Sequence, residues 1–201
     1  MARSKQVDPR RPPTPTRRDS EQIVDAIVEA TLRAGDPEIS VNDIAERAGV
    51  GIASVYRYFS GKPAIYAEIS RRLQREFLAR LRSLLARPEL GVDEAIEGIC
   101  RLAVVVPNAT PALRRNLNFA LPLSWSEESA RDTFATAIDE IVAWFATHLA
   151  SPPADLAHRV FVVFSAGRGT IMMSQMMPER APDQDEMLRQ LVAIARFNLK
   201  L

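Results

Sequence analysis

Between positions 62 and 87 apolar residues recur every three or four places, through Ile65, Ile69, Leu73, Phe77, Leu81 and Leu84 or Leu85, and Pro88 closes the run. Residues so spaced share one face of an α-helix, and the segment is on the order of 40 Å long as a helix. It is long enough to connect two packed units. The same spacing runs through most of the remaining chain, prolines fall between the runs, and no period-two alternation is long enough for a strand. The spacing predicts an all-α fold, with helices near 20–34, 41–48, 52–59, 62–87, 93–106, 110–119, 126–149, 155–177 and 183–199. Ser40 with Asp43 has the spacing of a capping box, and Thr110, Ser126 and Asp183 precede runs that each could cap. Gly35 and Gly49 stand where left-handed helix ends are wanted.

A chain that is 47% hydrophobic and 25% charged has enough apolar material to fold. Its 26 basic residues nearly balance 25 acidic ones, so any basic footprint must be local. Residues 1–18 carry Arg3, Lys5, Arg10, Arg11, Arg17 and Arg18 against Asp8, with four prolines. That stretch reads as a flexible basic arm, either entering a minor groove or acting as a solubilising tail. The single cysteine, Cys100, has no partner for an internal disulfide, and with two histidines it cannot complete the usual four-ligand zinc site. Cys100 is expected to be a small buried hydrophobe. No run is long enough to span a bilayer, and no apolar signal core follows the N-terminal charges, so a cytoplasmic protein with no membrane partner is expected.

Residues 39–62 hold the densest pattern: a short helix, a glycine turn and a second short helix, in the span of a helix-turn-helix. Ile44, Ala45 and Ala48 give the first helix an apolar face with small residues at the crossing. In the second, Ile52, Val55 and Phe59 form the expected inward stripe, with a thymine-methyl contact as the other reading of Ile52. Ala53, Ser54 and Arg57 then point outward. A face small at its N-terminal end can approach base edges in the major groove, and an arginine one turn later can fork onto guanine. Tyr56 and Tyr58 on the flanks can reach phosphates, as can Lys62 at the start of the long helix.

The string Val41-Asn42-Asp43-Ile44-Ala45-Glu46-Arg47-Ala48-Gly49-Val50, followed by Ser54-Val55-Tyr56-Arg57-Tyr58-Phe59 and Lys62, resembles the TetR family of bacterial transcriptional regulators. The resemblance covers residues 20–66 closely; beyond them only length and helix count agree. Family members usually carry a polar residue where Gly51 and Ile52 stand here. The resemblance implies a homodimer on a palindromic operator. The arm at 1–18 is longer than the family minimum; the resemblance implies a DNA-binding domain at 19–64 and a ligand-binding and dimerisation domain at 65–201. It also implies an apolar inducer site beside the connector, with the last two helices forming the dimer interface.

The run Val160, Phe161, Val162, Val163 and Phe164 is apolar on every side of its helix, so cover from a partner subunit is expected. Phe161, Phe164, Gly167 and Gly169 are the candidate interface, the glycines through close backbone approach. Phe119, Trp125, Trp144, Phe134 and Phe145 supply aromatic surface for a hydrophobic or amphipathic ligand. Arg114, Arg115 or His148 would be its polar anchor. Enzymatic motifs are absent: there is no G-x-S-x-G elbow, phosphate loop, dinucleotide fingerprint or H-E-x-x-H pair, and no cofactor is expected. The reading is a ligand-released repressor. An architectural DNA binder that recruits another protein without a small ligand is the alternative.

Overall fold

The computed structural model describes residues 17–36, 38–104, 110–119 and 123–200. The expected arm at 1–18 lies outside them except for Arg17 and Arg18, which already belong to the first helix. The described residues form helices α1 (Arg17–Ala34), α2 (Val41–Ala48), α3 (Ile52–Tyr58), α4 (Lys62–Leu85), α5 (Val92–Val104), α6 (Pro111–Phe119), α7 (Leu123–His148), α8 (Leu156–Met176) and α9 (Gln184–Leu199). Among them there is no strand.

Helix ends follow local chemistry. The Asp43 N–H donates to Ser40 Oγ at 3.1 Å while the Ser40 N–H returns to Asp43 Oδ2 at 3.3 Å, the reciprocal capping box. Gly49 then takes φ 67°, where a side chain is disfavoured, and its N–H and that of Val50 satisfy the carbonyls of Glu46 and Ala45. Thr110 Oγ1 caps α6 through the Leu113 N–H at 3.2 Å, and Asp183 Oδ1 caps α9 through the Glu186 N–H at 2.8 Å. Ser126 is not a cap: α7 starts at Leu123, because no breaker lies between Pro122 and Ser126 to hold the helix off.

Two apolar cores sit along α4. The first gathers Ile27, Val28, Ile44, Val55, Phe59, Ile65, Ile69 and Leu113, with Leu73 and Leu117 packed against it. The second gathers Leu81, Ile96, Cys100, Ile141, Phe145, Val160, Leu188 and Leu191. The N-terminal core therefore runs past the expected boundary at 64 and takes in the first turns of α4 and one side of α6. Gly98, which no sequence signal marked, lets α5 lie close on α4: a Cβ there would stand 2.7 Å from Leu84 Cδ2.

The all-round apolar character of α8 divides between two environments. Val160, Val163, Phe164, Gly167 and Ile171 face the second core or its cavity, whereas Phe161, Val162, Met172, Met173 and Met176 are exposed. Phe164 and Gly167 are thus corrected from interface to interior. Phe164 meets the rings of Phe77 and Phe134 at 6.5 and 5.6 Å, and the space over Gly167 is bounded by Leu191. Among the described residues a Cβ on Gly169 would meet nothing within 4 Å, so no close approach among them requires that glycine.

Candidate functional site

The helix-turn-helix arises because α2 and α3 each bury one side on α1 and α4. Val55 is fully buried and Phe59 nearly so, which fixes the rotation of α3. Ala53, Tyr56 and Arg57 are then exposed and Ser54 is half-buried. Ile52 departs from expectation: it is 42% exposed and outside the core. A seven-residue helix has little more than one inward row, which Val55 and Phe59 fill. Ile52, in the first turn beside Gly51, is left on the outer side.

Tyr58 is half-buried, and its hydroxyl donates to Ser20 Oγ at 3.1 Å, tying the end of α3 to α1. The guanidinium of Arg57 lies 5.9 Å from the Tyr58 ring centroid, which steadies a long side chain on the outer face. Lys62 opens α4, with Pro63 in the first turn. Its backbone terminus adds partial positive charge beside the recognition helix.

Inside the second core lies a cavity of about 210 Å³. Phe77, Cys100, Phe134, Phe145, Phe164 and Leu191 are among the side chains that give it a mainly apolar wall. Burial pushes the Cys100 thiol up to about 11, as for an apolar core residue. The polar wall groups are mostly satisfied by one another. Arg80 pairs with Glu76 at 2.7 Å, Asn118 Nδ2 donates to Gln175 at 2.6 Å, and Ser129 Oγ donates to Gln74 Oε1. Arg114 and Arg168 also line the cavity, and among the described residues neither meets a carboxylate.

Of the residues expected at the ligand site, Phe134, Phe145 and Arg114 line the cavity, whereas Arg115, Phe119, Trp144 and His148 do not. Arg115 and Phe119 are exposed on α6 and outside the lining. Trp144 is buried but turned from the cavity, edge-on to Phe145 and stacked on His148 at 3.9 Å. His148 spends Nδ1 on the Trp144 carbonyl at 2.8 Å. The side chain of Trp125 lies outside the described residues. Arg114, one of three anchors considered, does line the cavity; Arg168, between two glycines, was missed.

Residues 23–69 match the family of bacterial regulatory proteins, tetR family. No curated protein sequence matches the chain. Among solved structures, a transcriptional regulator from Rhodococcus sp. Rha1 is 20% identical with a TM-score of 0.66, the alignment covering 90% of this chain and 96% of that one. A tetR-family regulator from Streptomyces coelicolor is 20% identical with a TM-score of 0.65, covering 92% and 82%. The regulator FadR from Bacillus subtilis, solved with stearoyl-CoA, is 16% identical with a TM-score of 0.61, covering 87% and 96%. The chain carries the helix-turn-helix domain of the tetR family of bacterial regulatory proteins, within the overall fold of a TetR-family transcriptional regulator.

Proposed function

We propose that this protein is a homodimeric, sequence-specific and non-enzymatic transcriptional regulator, a repressor released from a palindromic operator when a small hydrophobic or amphipathic molecule enters the cavity. The observation that carries the reading is the double membership of Leu73 and Leu117. Both pack against the DNA-binding core and both line the cavity. A ligand lodged against them presses on the core that orients α3. Tenfold release of DNA needs a preference of about 1.4 kcal/mol for the released arrangement, less than the burial of one apolar side chain supplies. That FadR of Bacillus subtilis was solved with stearoyl-CoA supports an amphipathic occupant for a fold of this kind.

In this reading Ala53, Ser54 and Arg57, joined by Ile52, meet base edges, Tyr56 and Lys62 meet phosphates, and Tyr58 reaches one by turning its hydroxyl proton from Ser20. Two copies are needed because one recognition helix reads only a few base pairs, and half-sites one turn apart, about 34 to 36 Å, call for two. The exposed apolar face of α8 and α9 is the surface that would join them. The cavity favours this reading over an architectural binder, which has no use for one.

Sequencing the genomic DNA fragments retained by the purified protein tests the proposal. The expected result is an inverted repeat, its retention abolished by Arg57→Ala; fragments with no shared sequence would overturn it.

A further inference from the structure

The cavity has a charge pattern that an occupant without a headgroup charge would not need. Its wall is apolar over most of its area, the Arg80–Glu76 pair cancels itself, Asn118 is paired with Gln175, and Gln74 is bonded to the hydroxyls of Ser70 and Ser129. Two cations remain. Arg114, on α6, has its Nε fully shielded from solvent with no hydrogen-bond partner among the described residues. Such an atom costs free energy unless something accepts its proton. Arg168, on α8, has its guanidinium 4.7 Å from the Phe134 ring centroid, and among the described residues it meets no carboxylate. Both arginines line the cavity, Arg114 half-buried and Arg168 more exposed, on helices that Asn118 and Gln175 hold together.

We propose that the ligand of this cavity is an amphiphile with a carboxylate head, the head taken by Arg114 and Arg168 and the apolar tail lying along Phe77, Cys100, Phe145 and Leu191. A carboxylate offers acceptor oxygens to both guanidinium groups, and charge-assisted bonds of this kind are roughly twice as strong as neutral ones. A cationic amphiphile meets like charge, and a neutral alcohol can accept one hydrogen bond but brings no charge to balance the guanidinium groups. The inference rests on the cavity being the regulatory site, but the head-group preference can be read without DNA.

The test is calorimetric titration of the full chain at neutral pH with decanoate, 1-decanol and decylamine, which share one tail and differ in the head. The expected order is decanoate, then decanol by about tenfold or more, then decylamine. In Arg114→Met and Arg168→Met the decanoate advantage should shrink toward none while decanol affinity is kept, which also shows that the pocket is intact. Decanol binding as tightly as decanoate, decylamine binding best, or none of the three binding would overturn the proposal in the wild type alone, whatever the variants do. If decanoate is preferred but leaves operator affinity unchanged, the site stands and the release reading falls. If decanol and decanoate bind alike and both release DNA, the release reading stands and the carboxylate falls.

Discussion

Thr110 and Gly35 lie 75 positions apart, yet Thr110 Oγ1 donates a 2.9 Å hydrogen bond to the Gly35 carbonyl, clasping the start of α6 to the end of α1. The same hydroxyl oxygen accepts from the Leu113 N–H at 3.2 Å and so caps α6. One residue both starts the helix that bears Arg114 and fastens it to the DNA-binding domain. Leu113, one turn on, is buried in that domain's core.

Gly35 stands at φ 61°, and a Cβ there would lie 2.6 Å from Thr110 Cγ2. Gly35→Ala should therefore lower unfolding stability by about 2 kcal/mol or more, since left-handed strain and overpacking add. Thr110→Val keeps the shape but loses the hydroxyl, costing about 1 kcal/mol as for a lost cap. Urea midpoints measure both. If α6 transmits the ligand's effect, Thr110→Val should also leave ligand binding intact while weakening DNA release; unchanged release would exclude this route.

Ile52 and Val55 separate recognition from folding. Val55→Ala removes two methyl groups from a fully buried site and should lower stability by about 1 to 3 kcal/mol. Ile52→Ala, on an exposed residue, should leave the melting temperature nearly unchanged and weaken operator binding at one base position. A stability loss for Ile52→Ala equal to that of Val55→Ala would return Ile52 to the core.

The fold class, the helix spans and the capping box were legible because they depend on spacing within a few residues. Which side of α3 faces outward was legible for the same reason, except at Ile52: periodicity gives an angle around a helix but not how far a short helix is buried along its axis. An apolar site beside α4 was implied by the resemblance, and Phe134, Phe145 and Arg114 do line the cavity, but the rest of its wall was not legible. Which of Arg114 and Arg115 turns inward depends on how α6 rotates against α8, and that rotation is set by Leu113 and Leu117 seating in a core formed some forty or more residues earlier in the chain. Arg168 was hidden by its own neighbours, since Gly167 and Gly169 drew attention to backbone packing.

The exposed apolar residues of α8 and α9 predict the assembly. Phe197 is 84% and Phe161 58% exposed, and Arg159 Nη1 donates to the Asn198 carbonyl at 2.6 Å, setting the start of α8 against the end of α9. Exposed aromatics on adjoining helix ends are what a two-fold interface would bury. Burying one such ring contributes about 1.5 to 3 kcal/mol and symmetry doubles it, so Phe161→Glu should raise the dimer dissociation constant by about a hundredfold or more. Phe197→Glu should act alike. Sedimentation with the wild type already monomeric at micromolar concentration, or with both variants still fully dimeric, would count against this face.

Cys100 provides an internal reporter of the cavity. It lines the wall, and burial pushes its thiol up to about 11, so at pH 7 about one molecule in ten thousand carries the reactive thiolate, against a few per cent for an ordinary cysteine. Alkylation by iodoacetamide should accordingly be at least about a hundredfold slower in the native chain than in urea. Its rate should climb about tenfold per pH unit until the thiol ionises near 11 or the fold opens. An occupant of the cavity shields the sulfur, so saturating decanoate should slow native labelling further without affecting labelling in urea. Mass spectrometry of timed samples reads both effects, because the chain has one cysteine. Native labelling as fast as in urea would mean that Cys100 is neither buried nor part of the wall. Protection that persists in Arg114→Met under decanoate concentrations too low to occupy that variant would assign the shielding to something other than the ligand.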